Sequence, residues 1–413
     1  METSQIEIII NDQLSVFKKR DAGFPRKINY KSHINSKPIT VIAGIRRSGK
    51  STLLKQFSLK LPNFYYVNFD DERLISFSVE DFNNLLIIWK KKFASKYILI
   101  DEVQNVTGWE RFVRSLHDEN YKLFISGSNA KLLSSELSTH LTARYQKIEL
   151  YPFSFKEMAE YRQADLLPSM ISTAKAKILK LFDEYLVHGG FPEYIKYKNE
   201  EYLKRVYEDI IYRDIITRFG IKEVKSFREL TNYIFTNFTK ELSYNNLKTI
   251  LGIKTAMSVR NYVGFLEESY LIFELFKYDY SLKKQYISDK KLYVIDNGMR
   301  NATAFYFSTD RGRLLENLVF IELKRRKNEI YYFKDKSECD FLVREKNRII
   351  QAIQVTQKID KTNEKRELDG LFNALTRLNL KSGLILTEDQ DQIKTIGRYK
   401  ITIKPIWQWL LKS

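Results

Sequence analysis

Apolar positions along the chain follow two spacings, and the change from one to the other outlines the predicted elements. In residues 4–20, Ile6, Ile10, Leu14 and Phe17 recur at helical intervals and predict an amphipathic helix. From residue 39 to 153, short apolar runs alternate with segments of helical period, which predicts a parallel sheet covered on both faces. The predicted strands are Thr40–Gly44, Phe64–Phe69, Lys96–Ile100, Lys122–Ser126 and Tyr145–Leu150, and the predicted helices cover 50–60, 79–93 and 109–118.

The loop after the first predicted strand has the spacing of a phosphate-binding loop. Gly44 and Gly49 enclose four residues, and Lys50 and Ser51 follow them, which fits G-x-x-x-x-G-K-[ST]. Successive N–H groups of such a loop turn inward as an anion nest at a helix N-terminus. We expect Lys50 to reach the β- and γ-phosphates of a nucleotide and Ser51 to ligate Mg²⁺. The expected contacts are Gly44, Ile45, Arg46, Arg47, Ser48, Gly49, Lys50, Ser51 and Thr52.

A second chemical signal is the pair Asp101 and Glu102, which follows the apolar run 97–100. Ligands bind at the carboxyl ends of strands in open α/β sheets, so the pair is predicted to face the nucleotide. We expect Asp101 to hold the Mg²⁺ shell and Glu102 to orient or deprotonate the attacking water. An acidic pair at a strand end can also be a solvated turn, but its place in the chain after the phosphate loop favours the catalytic role.

Two further candidates flank the last two predicted strands of this region. Ser128 or Asn129, just after the strand 122–126, could hydrogen-bond the attacking water or the γ-phosphate. Arg144 precedes the final strand. It is either an arginine finger acting on a neighbouring copy or a structural surface residue, and the sequence does not choose between them.

Composition narrows the class of protein. A chain of 413 residues is long enough for two or three domains, and its single cysteine, Cys339, excludes an internal disulfide and fits a reducing compartment. No apolar run approaches the ~18 residues of a membrane span, so we expect a soluble cytoplasmic protein without membrane contact. The net charge of +18 favours a polyanion partner such as DNA, although the basic residues are spread along the chain and do not decide the matter.

The middle of the chain predicts two helical regions. Residues 154–215 are expected to form a helical lid, with a turn at His188–Pro192. Residues 226–295 suggest a winged helix-turn-helix, with helices at 227–238, 243–252 and from 254 onward, and with 273–278 pairing with 292–295 as the wing. The third helix could enter the major groove, or the fold could be a protein-packing module. The DNA-contact candidates are Lys254, Ser258, Arg260 and Asn261, with Lys283, Lys284 and Lys291 as phosphate contacts.

Residues 311–413 predict another α/β unit. A helix at 314–326, strands at 329–333, 339–344 and 348–356, a helix at 366–378 and a strand at 383–386 give an order that resembles the restriction-endonuclease-like core. Glu316 and Asp340 match the first two acids of its Glu…Asp…(D/E)-x-K site. Gln354 and Thr356 stand where an acid and a lysine are needed to hold Mg²⁺ and activate water. We therefore expect no nuclease activity unless Lys358 reaches inward.

The chain as a whole resembles the predicted AAA+ ATPases of bacteria and archaea that carry a C-terminal domain of unknown function. The resemblance runs from about residue 20 to about residue 390. One departure is Ala143, where relatives usually have glycine before the arginine. The matching segments are 44–52, 98–104, 126–133, 141–144, 151–155, 188–192, 211–215 and 314–320. The resemblance implies ATP binding, ATP hydrolysis and a C-terminal effector region.

These observations together predict an α/β protein: a P-loop AAA+ parallel sheet with a helical lid, a winged helix-turn-helix and a C-terminal restriction-endonuclease-like domain. The expected divisions are 1–35, 36–155, 156–220, 221–300 and 301–413. We expect an ATP-driven switch acting on DNA or a partner protein. An ATP-regulated nuclease and a protein-binding signalling switch without nucleic acid remain alternatives. A homo-oligomer is left open.

Overall fold

The computed structural model describes residues 1–128, 144–164, 172–304 and 311–412. The chain divides into two compact units. The N-terminal unit comprises Met1–Tyr151 with Glu268–Tyr270, and the C-terminal unit comprises Pro152–Glu267 with Leu271–Ser413. Within the described residues, no helix has the length and apolarity needed to cross a membrane.

The N-terminal unit is built on a five-stranded parallel sheet. Its strand order is β2-β3-β4-β1-β5, so the first strand lies between the last two. The strands are β1 Ile39–Ala43, β2 Tyr65–Asn68, β3 Tyr97–Asp101, β4 Lys122–Gly127 and β5 Tyr145–Glu149. The helices are α1 Thr3–Lys19, α2 Tyr30–Asn35, α3 Lys50–Ser58, α4 Phe82–Lys92 and α5 Trp109–Asp118. The predicted strands and helices are confirmed, with ends that differ by a few residues.

The N-terminal helix is part of the sheet's core. Phe17 of α1 stacks on Tyr66 of β2 with ring centroids 3.9 Å apart, and both rings join the apolar cluster beneath the sheet. Gln13 adds polar ties, because its side chain donates to the Asn68 carbonyl at 3.0 Å and accepts from the Asn68 N–H at 2.9 Å. These contacts fix α1 against the edge strand β2. The helical spacing of apolar residues had indicated the packing of Phe17, but not the hydrogen bonds of Gln13.

The C-terminal unit begins with helices. They are α6 Phe155–Tyr161, α7 Ser172–His188, α8 Pro192–Tyr197 and α9 Glu200–Asp209, followed by a π-helix at Ile210–Thr217. The turn between α7 and α8 packs tightly: the Gly190 N–H donates to Asp296 Oδ2 at 2.7 Å, and a Cβ on Gly190 would come within 2.1 Å of the Phe153 carbonyl oxygen. The predicted turn is therefore also a packing junction.

Five helices and a small antiparallel sheet follow. The elements are α10 Val224–Thr236, β6 Glu241–Leu242, α11 Tyr244–Ile250, α12 Ala256–Glu268, β7 Ile272–Leu275, α13 Leu282–Ile287, β8 Lys290–Val294 and α14 Asn297–Thr303. The sheet order is β6-β8-β7, and Phe273 pairs with Tyr293. The predicted pairing of residues around 273–278 with 292–295 is thus confirmed, while β6 and α13 were not predicted. We call residues 224–303 the three-helix segment, after the helices α10, α11 and α12 that precede β7.

The last part of the chain forms a six-stranded mixed sheet of order β13-β14-β12-β11-β10-β9. Its elements are α15 Arg311–Arg325, β9 Glu329–Lys334, β10 Glu338–Glu345, β11 Arg348–Val355, α16 Glu364–Arg377, β12 Ser382–Thr387, β13 Gln392–Ile396, β14 Tyr399–Pro405 and α17 Ile406–Leu411. The predicted order up to β12 is confirmed. The elements β13, β14 and α17 were not predicted, and β13 is mostly exposed and polar, so it lacks an apolar signal.

Candidate functional site

The loop after β1 has the backbone that the glycine spacing predicted. Gly44 has a φ of +153°, and a Cβ there would come within 2.1 Å of the Leu150 carbonyl oxygen, so only glycine fits. Arg47 and Gly49 also have positive φ, at 65° and 98°, and α3 begins at Lys50 directly after them. The loop therefore turns sharply onto a helix N-terminus, where unpaired backbone N–H groups favour an anion.

Lys50 lies inside this loop and is only 4% exposed. Its Nζ donates to the Ile45 carbonyl at 3.2 Å and lies 3.6 Å from Glu102 Oε1. Ser48 is also buried, and among the described residues its Oγ has no hydrogen-bond partner. The buried ammonium of Lys50 thus has a single carboxylate within 4 Å and lies near an unsatisfied hydroxyl. A phosphate could supply the missing partners of both groups.

Asp101 ends β3 and is buried beside the loop. Its Oδ1 accepts from the Ser126 hydroxyl, and its carboxylate also accepts from Ser51. Burial and the neighbouring charge of Glu102 raise the pKa of Asp101, while the two hydroxyls and Lys50 act against this shift. The hydroxyl of Ser51 and the carboxylate of Asp101 are hard oxygen donors placed together, which is the donor set that Mg²⁺ takes.

Glu102 has a left-handed backbone, with φ at 48°, which is uncommon for a residue with a side chain. Its Oε2 accepts from Gln104 Nε2, which also lies 3.3 Å from Ser128 Oγ. Burial alone would raise the pKa of Glu102, but Lys50, Gln104 and Arg46 together hold it below its usual value. Glu102 is therefore ionised at neutral pH and suits orienting a water molecule.

The structure brings together some of the expected residues and separates others. Lys50, Ser51, Asp101 and Glu102 meet at the carboxyl end of the parallel sheet. Arg144 lies at the opposite edge, where its carbonyl accepts from the Ile39 N–H at 2.7 Å and its Nη2 is 3.5 Å from Asp118. Asn129 lies outside the described residues.

Sequence reasoning missed two residues that hold this site. Ser126 gives its hydroxyl to Asp101 and accepts from the Glu102 N–H at 3.2 Å, so it ties the two strand ends together. Gln104 orients Glu102. Both stand inside segments that the sequence had singled out, 98–104 and 126–133. The hydrogen bonds of Ser126 depend on the pairing of β3 with β4, which the sequence does not give, whereas Gln104 meets Glu102 two residues away.

The DNA-contact candidates are placed on the three-helix segment as follows. Lys254, Arg260 and Asn261 are exposed, and Ser258 is half-buried with its Oγ 3.0 Å from Thr255 Oγ1. The expectation that Lys291 contacts phosphates is wrong. It is buried, with its side chain 3% exposed, and it makes ion pairs with Glu316, Glu338 and Asp340.

Three of the four residues proposed for a degenerate nuclease site lie in this buried cluster. Glu316 of α15 and Asp340 of β10 both face Lys291, and Gln354 Oε1 accepts from the Asp340 N–H at 3.4 Å. Thr356 instead donates to the Lys358 carbonyl at 3.3 Å, in the loop after β11. Lys358 does not reach inward, because it pairs with Asp360 at 3.0 Å and its side chain is 68% exposed.

The sequence missed the other members of the cluster. Gln354 Nε2 donates to Glu367 Oε2 at 2.9 Å, and Glu367 is almost fully buried on α16. Tyr293 donates its hydroxyl to Glu316 Oε1 at 2.7 Å. Lys291 and Tyr293 stand two residues apart on β8 and thus face the same side. The alternation along β8 was visible in the sequence, but the elements that these side chains face, α15 and β10, were not.

The sheet order, the glycine loop and the paired carboxylates define the N-terminal unit as a P-loop domain of the AAA+ class. Residues 36–159 match a family described as an AAA domain, and residues 179–310 and 311–409 match two domains of unknown function, DUF8612 and DUF4143. The chain is 37% identical over 429 residues to the uncharacterized protein MJ1544 of Methanocaldococcus jannaschii, with 98% of this chain and 95% of that one covered. It therefore belongs to the same family as MJ1544.

Other similarities are more distant. An uncharacterized protein of Haemophilus influenzae is 30% identical over 395 residues, covering 91% of this chain and 94% of that one. The ORC1 protein of Aeropyrum pernix, solved in complex with DNA, has a TM-score of 0.35 and 11% identity, covering 70% of this chain and 95% of that one. The RuvB branch migration motor of Thermotoga maritima has a TM-score of 0.31 and 16% identity, covering 62% and 93%. At such TM-scores these two structures carry no argument about what this chain binds.

Proposed function

We propose that this protein binds and hydrolyses ATP and that its nucleotide state positions the three-helix segment and the C-terminal sheet on DNA or on a partner protein. The observation that carries the proposal is the meeting of Lys50, Asp101 and Glu102 at one edge of the parallel sheet. A phosphate loop beside an acidic strand end is the arrangement that P-loop enzymes use for phosphoryl transfer.

The residues divide the chemistry among them. The backbone of residues 44–52 cradles the phosphates, and Lys50 neutralises charge on the β- and γ-phosphates. Ser51 and Asp101 would hold Mg²⁺, which neutralises phosphate charge when bound. Glu102, kept ionised by Lys50 and Gln104, orients the attacking water. Asn129 stays a candidate for contacting that water.

Arg144 has a role only if the protein assembles into a homo-oligomer. It lies at the amino end of β5, away from the loop of its own chain, so it would have to act on the nucleotide of a neighbouring copy. Mixing an Arg144→Ala variant with a Lys50→Ala variant tests this, because each supplies what the other lacks. Activity restored by mixing supports action between copies, and no restoration leaves Arg144 with its Asp118 ion pair alone.

We propose that the three-helix segment is a winged helix. Its order of helix, strand, two helices and then two strands joined through the short helix α13, with β8 between β6 and β7 in the sheet, supports this assignment. The exposed Lys254, Arg260 and Asn261 favour contact of α12 and the turn before it with DNA.

A specific observation also favours a protein partner. Four large apolar side chains around α13 are mostly exposed: Tyr280 at 78%, Leu282 at 67%, Tyr286 at 65% and Ile287 at 72%. Apolar side chains clustered on a surface usually mark a contact with another macromolecule. The alternative of a partner-binding switch therefore stands beside DNA binding.

The third alternative, an ATP-regulated nuclease, is disfavoured by the nuclease-like cluster. Gln354 offers a neutral amide where an acid is needed, and Lys358 points to solvent. Plasmid DNA incubated with the protein, ATP and Mg²⁺ or Mn²⁺ should stay intact. Nicking that disappears in Asp340→Asn would overturn this view.

The proposal as a whole is tested by measuring ATP hydrolysis with and without duplex DNA, and DNA binding at several salt concentrations. We expect hydrolysis that requires Mg²⁺ and is changed by DNA, with affinity that falls as salt rises. Hydrolysis unaffected by DNA, with binding absent at low salt, would favour the partner-protein alternative. Absence of hydrolysis under all conditions would contradict the proposal itself.

A further inference from the structure

A pocket lies at the amino ends of β1, β3 and β4, within the N-terminal unit. Its volume is about 330 Å³, and its lining includes Lys37, Lys96, Tyr97, His117 and Lys122. The phosphate-binding loop follows the carboxyl end of β1, and these three strands are parallel. The pocket is therefore at the opposite end of the sheet from that loop, and we call it the amino-end pocket.

The amino-end pocket carries positive charge without an acid to balance it. Three of its lining side chains are lysines, and among the residues that the structure describes no Asp or Glu lines it. Lys37 and Lys96 are exposed, and neither forms an ion pair with another described residue. Several charges of one sign in a concave site raise the local concentration of counter-ions, so this pocket should attract anions.

Lys122 is the buried member of this set, with 8% of its surface exposed. Its Nζ donates to the Pro38 carbonyl, lies 3.4 Å from Ser36 Oγ and lies 5.3 Å from the centroid of the Phe124 ring. All three partners are neutral, and burial lowers the pKa of Lys122 to about 8. Buried charges are normally paired, so an anion in the pocket would supply a counter-charge that the described residues do not.

His117 is a second polar group of this pocket without a hydrogen-bond partner. It is 6% exposed, and within the described part of the chain neither of its ring nitrogens makes a hydrogen bond. Its Nδ1 is 3.6 Å from Asp118 Oδ1, which is too far for one. Buried polar atoms of folded proteins are nearly always bonded. The imidazole of His117 and the ammonium of Lys122 thus both indicate a polar ligand.

We propose that the amino-end pocket binds a small phosphorylated molecule, with Lys37, Lys96 and Lys122 around the phosphate. Tyr97 and Tyr121 are half-buried in the lining and offer ring surface to the organic part. A more open depression of about 520 Å³ shares Lys96 and both tyrosines, so it adds space for that part. The pocket has the volume of a small-molecule site. The inference is independent of ATP hydrolysis, since these residues belong neither to the phosphate-binding loop nor to the acidic pair.

Labelling of the full-length protein with pyridoxal 5′-phosphate tests the proposal, because this reagent carries both a phosphate and an aldehyde. The aldehyde condenses with a neutral amine, losing water, and borohydride reduces the imine to a stable secondary amine. A large share of Lys122 is neutral at pH 8, so peptide mass spectrometry should find the label on this lysine. Pyridoxal, which lacks the phosphate, should label Lys122 about tenfold less at the same concentration.

Competition separates phosphate recognition from simple screening of charge. Inorganic phosphate should protect Lys122 from pyridoxal 5′-phosphate. Sodium chloride at the same ionic strength should protect it much less, because chloride screens the lysines but cannot accept several hydrogen bonds at once. Duplex DNA serves as a third competitor.

Two double variants separate the pocket from the general surface charge. Lys37→Met/Lys96→Met should lower labelling by pyridoxal 5′-phosphate to the level of pyridoxal, because the phosphate loses two of its three cations. Both side chains are exposed, so the fold should stay intact. The matched control is Lys91→Met/Lys92→Met, since these exposed lysines at the end of α4 do not line the pocket. It should be labelled as the wild type is.

The label is read residue by residue, so any reaction at Lys50 of the phosphate-binding loop is counted separately. Preferential labelling of Lys122 that inorganic phosphate prevents and Lys37→Met/Lys96→Met loses supports the proposal. Equal labelling by the two aldehydes, no label on Lys122, or the same loss in the control variant overturns it. Protection by duplex DNA but not by inorganic phosphate also overturns it, since the pocket would then take a nucleic-acid backbone.

Discussion

Lys50 and Lys291 are both buried beside carboxylates, and their surroundings differ. Lys50 has one carboxylate within 4 Å, Glu102 at 3.6 Å, and lies in a glycine loop at the start of α3. Lys291 has three carboxyl groups within 3.6 Å and is enclosed by β8, α15 and β10. The ammonium of Lys50 can still bond to an anionic ligand, whereas the ammonium of Lys291 is already paired with carboxylates of the protein.

The source of the counter-charge distinguishes the roles of the two buried lysines. A buried charge is costly unless it is paired, so both lysines need counter-charge. At Lys50 part of that charge is expected from nucleotide phosphates, and the site therefore depends on a ligand. At Lys291 all of it comes from the chain, and the residue is needed for the fold. Substitutions that remove each lysine should thus have opposite signatures.

The largest expected effect is on stability. Lys291→Met should lower the free energy of unfolding in metal-free buffer by about 3–5 kcal/mol, because it leaves buried carboxyl groups uncompensated. Urea unfolding followed by circular dichroism measures this. Lys50→Met should cost clearly less, because the one carboxylate in its ion pair, Glu102, is partly exposed. Equal losses in the two variants would show that both lysines are structural and would remove the contrast.

The next effect concerns a buried carboxyl without an enclosing lysine. Asp296 accepts from the backbone N–H groups of Gly190 and Met299, and burial raises its pKa to about 6. Because the pKa of Asp296 is raised in the folded state, the protonated carboxyl group stabilises the fold below about pH 4. This stabilisation is lost as pH rises through 6. Relative to Asp296→Asn, the wild type should lose roughly 2–3 kcal/mol between pH 4.5 and 7.5. A difference that does not vary with pH would contradict this.

Nucleotide affinity supplies the complementary effect. Lys50→Met should weaken ATP binding about 100-fold, since it removes charge-assisted hydrogen bonds to phosphate oxygens. Isothermal titration calorimetry with Mg²⁺ and ATP measures the loss. The control is Lys55→Met, because Lys55 is buried on the same helix but donates to the Lys18 carbonyl at 2.8 Å. That variant should bind ATP as the wild type does.

The smallest effect is expected at the exposed cations of the three-helix segment. If α12 grips DNA, Lys254→Ala/Arg260→Ala should weaken binding and reduce the slope of log affinity against log salt by about 2. Lys225 is an exposed lysine on α10 that pairs with Glu229, so Lys225→Ala is a control for the loss of an exposed positive charge away from α12. Fluorescence anisotropy with labelled duplex DNA gives the slopes. An unchanged slope in the double variant would make the segment a packing module.

The two lysines also show how far sequence reasoning reaches. Lys50 was predicted because its role depends on neighbours within six residues, Gly44 and Gly49 above all, and the backbone angles at those glycines follow from chemistry alone. Asp101 was placed by the rule that ligands meet strand ends. Lys291 was assigned to DNA phosphates, because its partners lie 25, 47 and 49 residues further along the chain and meet it only through packing.

The same limit applies to smaller details. Ser126 holds Asp101 and Glu102 through the register of β3 against β4, which no local pattern encodes. Lys358 was considered for the nuclease-like site on strand alternation, but β11 ends at Val355, and beyond that residue alternation no longer applies. Where function needs consecutive residues the sequence is informative, and where it needs distant ones the fold decides.

Glu102 is proposed to act on the water that attacks ATP, and a substitution that removes only its charge tests this role. ATP binding and single-turnover hydrolysis should be compared in the wild type and in Glu102→Gln. This variant keeps the size of the side chain, and its amide oxygen can still accept the hydrogen bond from Gln104. We expect an affinity within about threefold of the wild type and hydrolysis slower by about 10²–10³. Equal hydrolysis rates in the two proteins would contradict it.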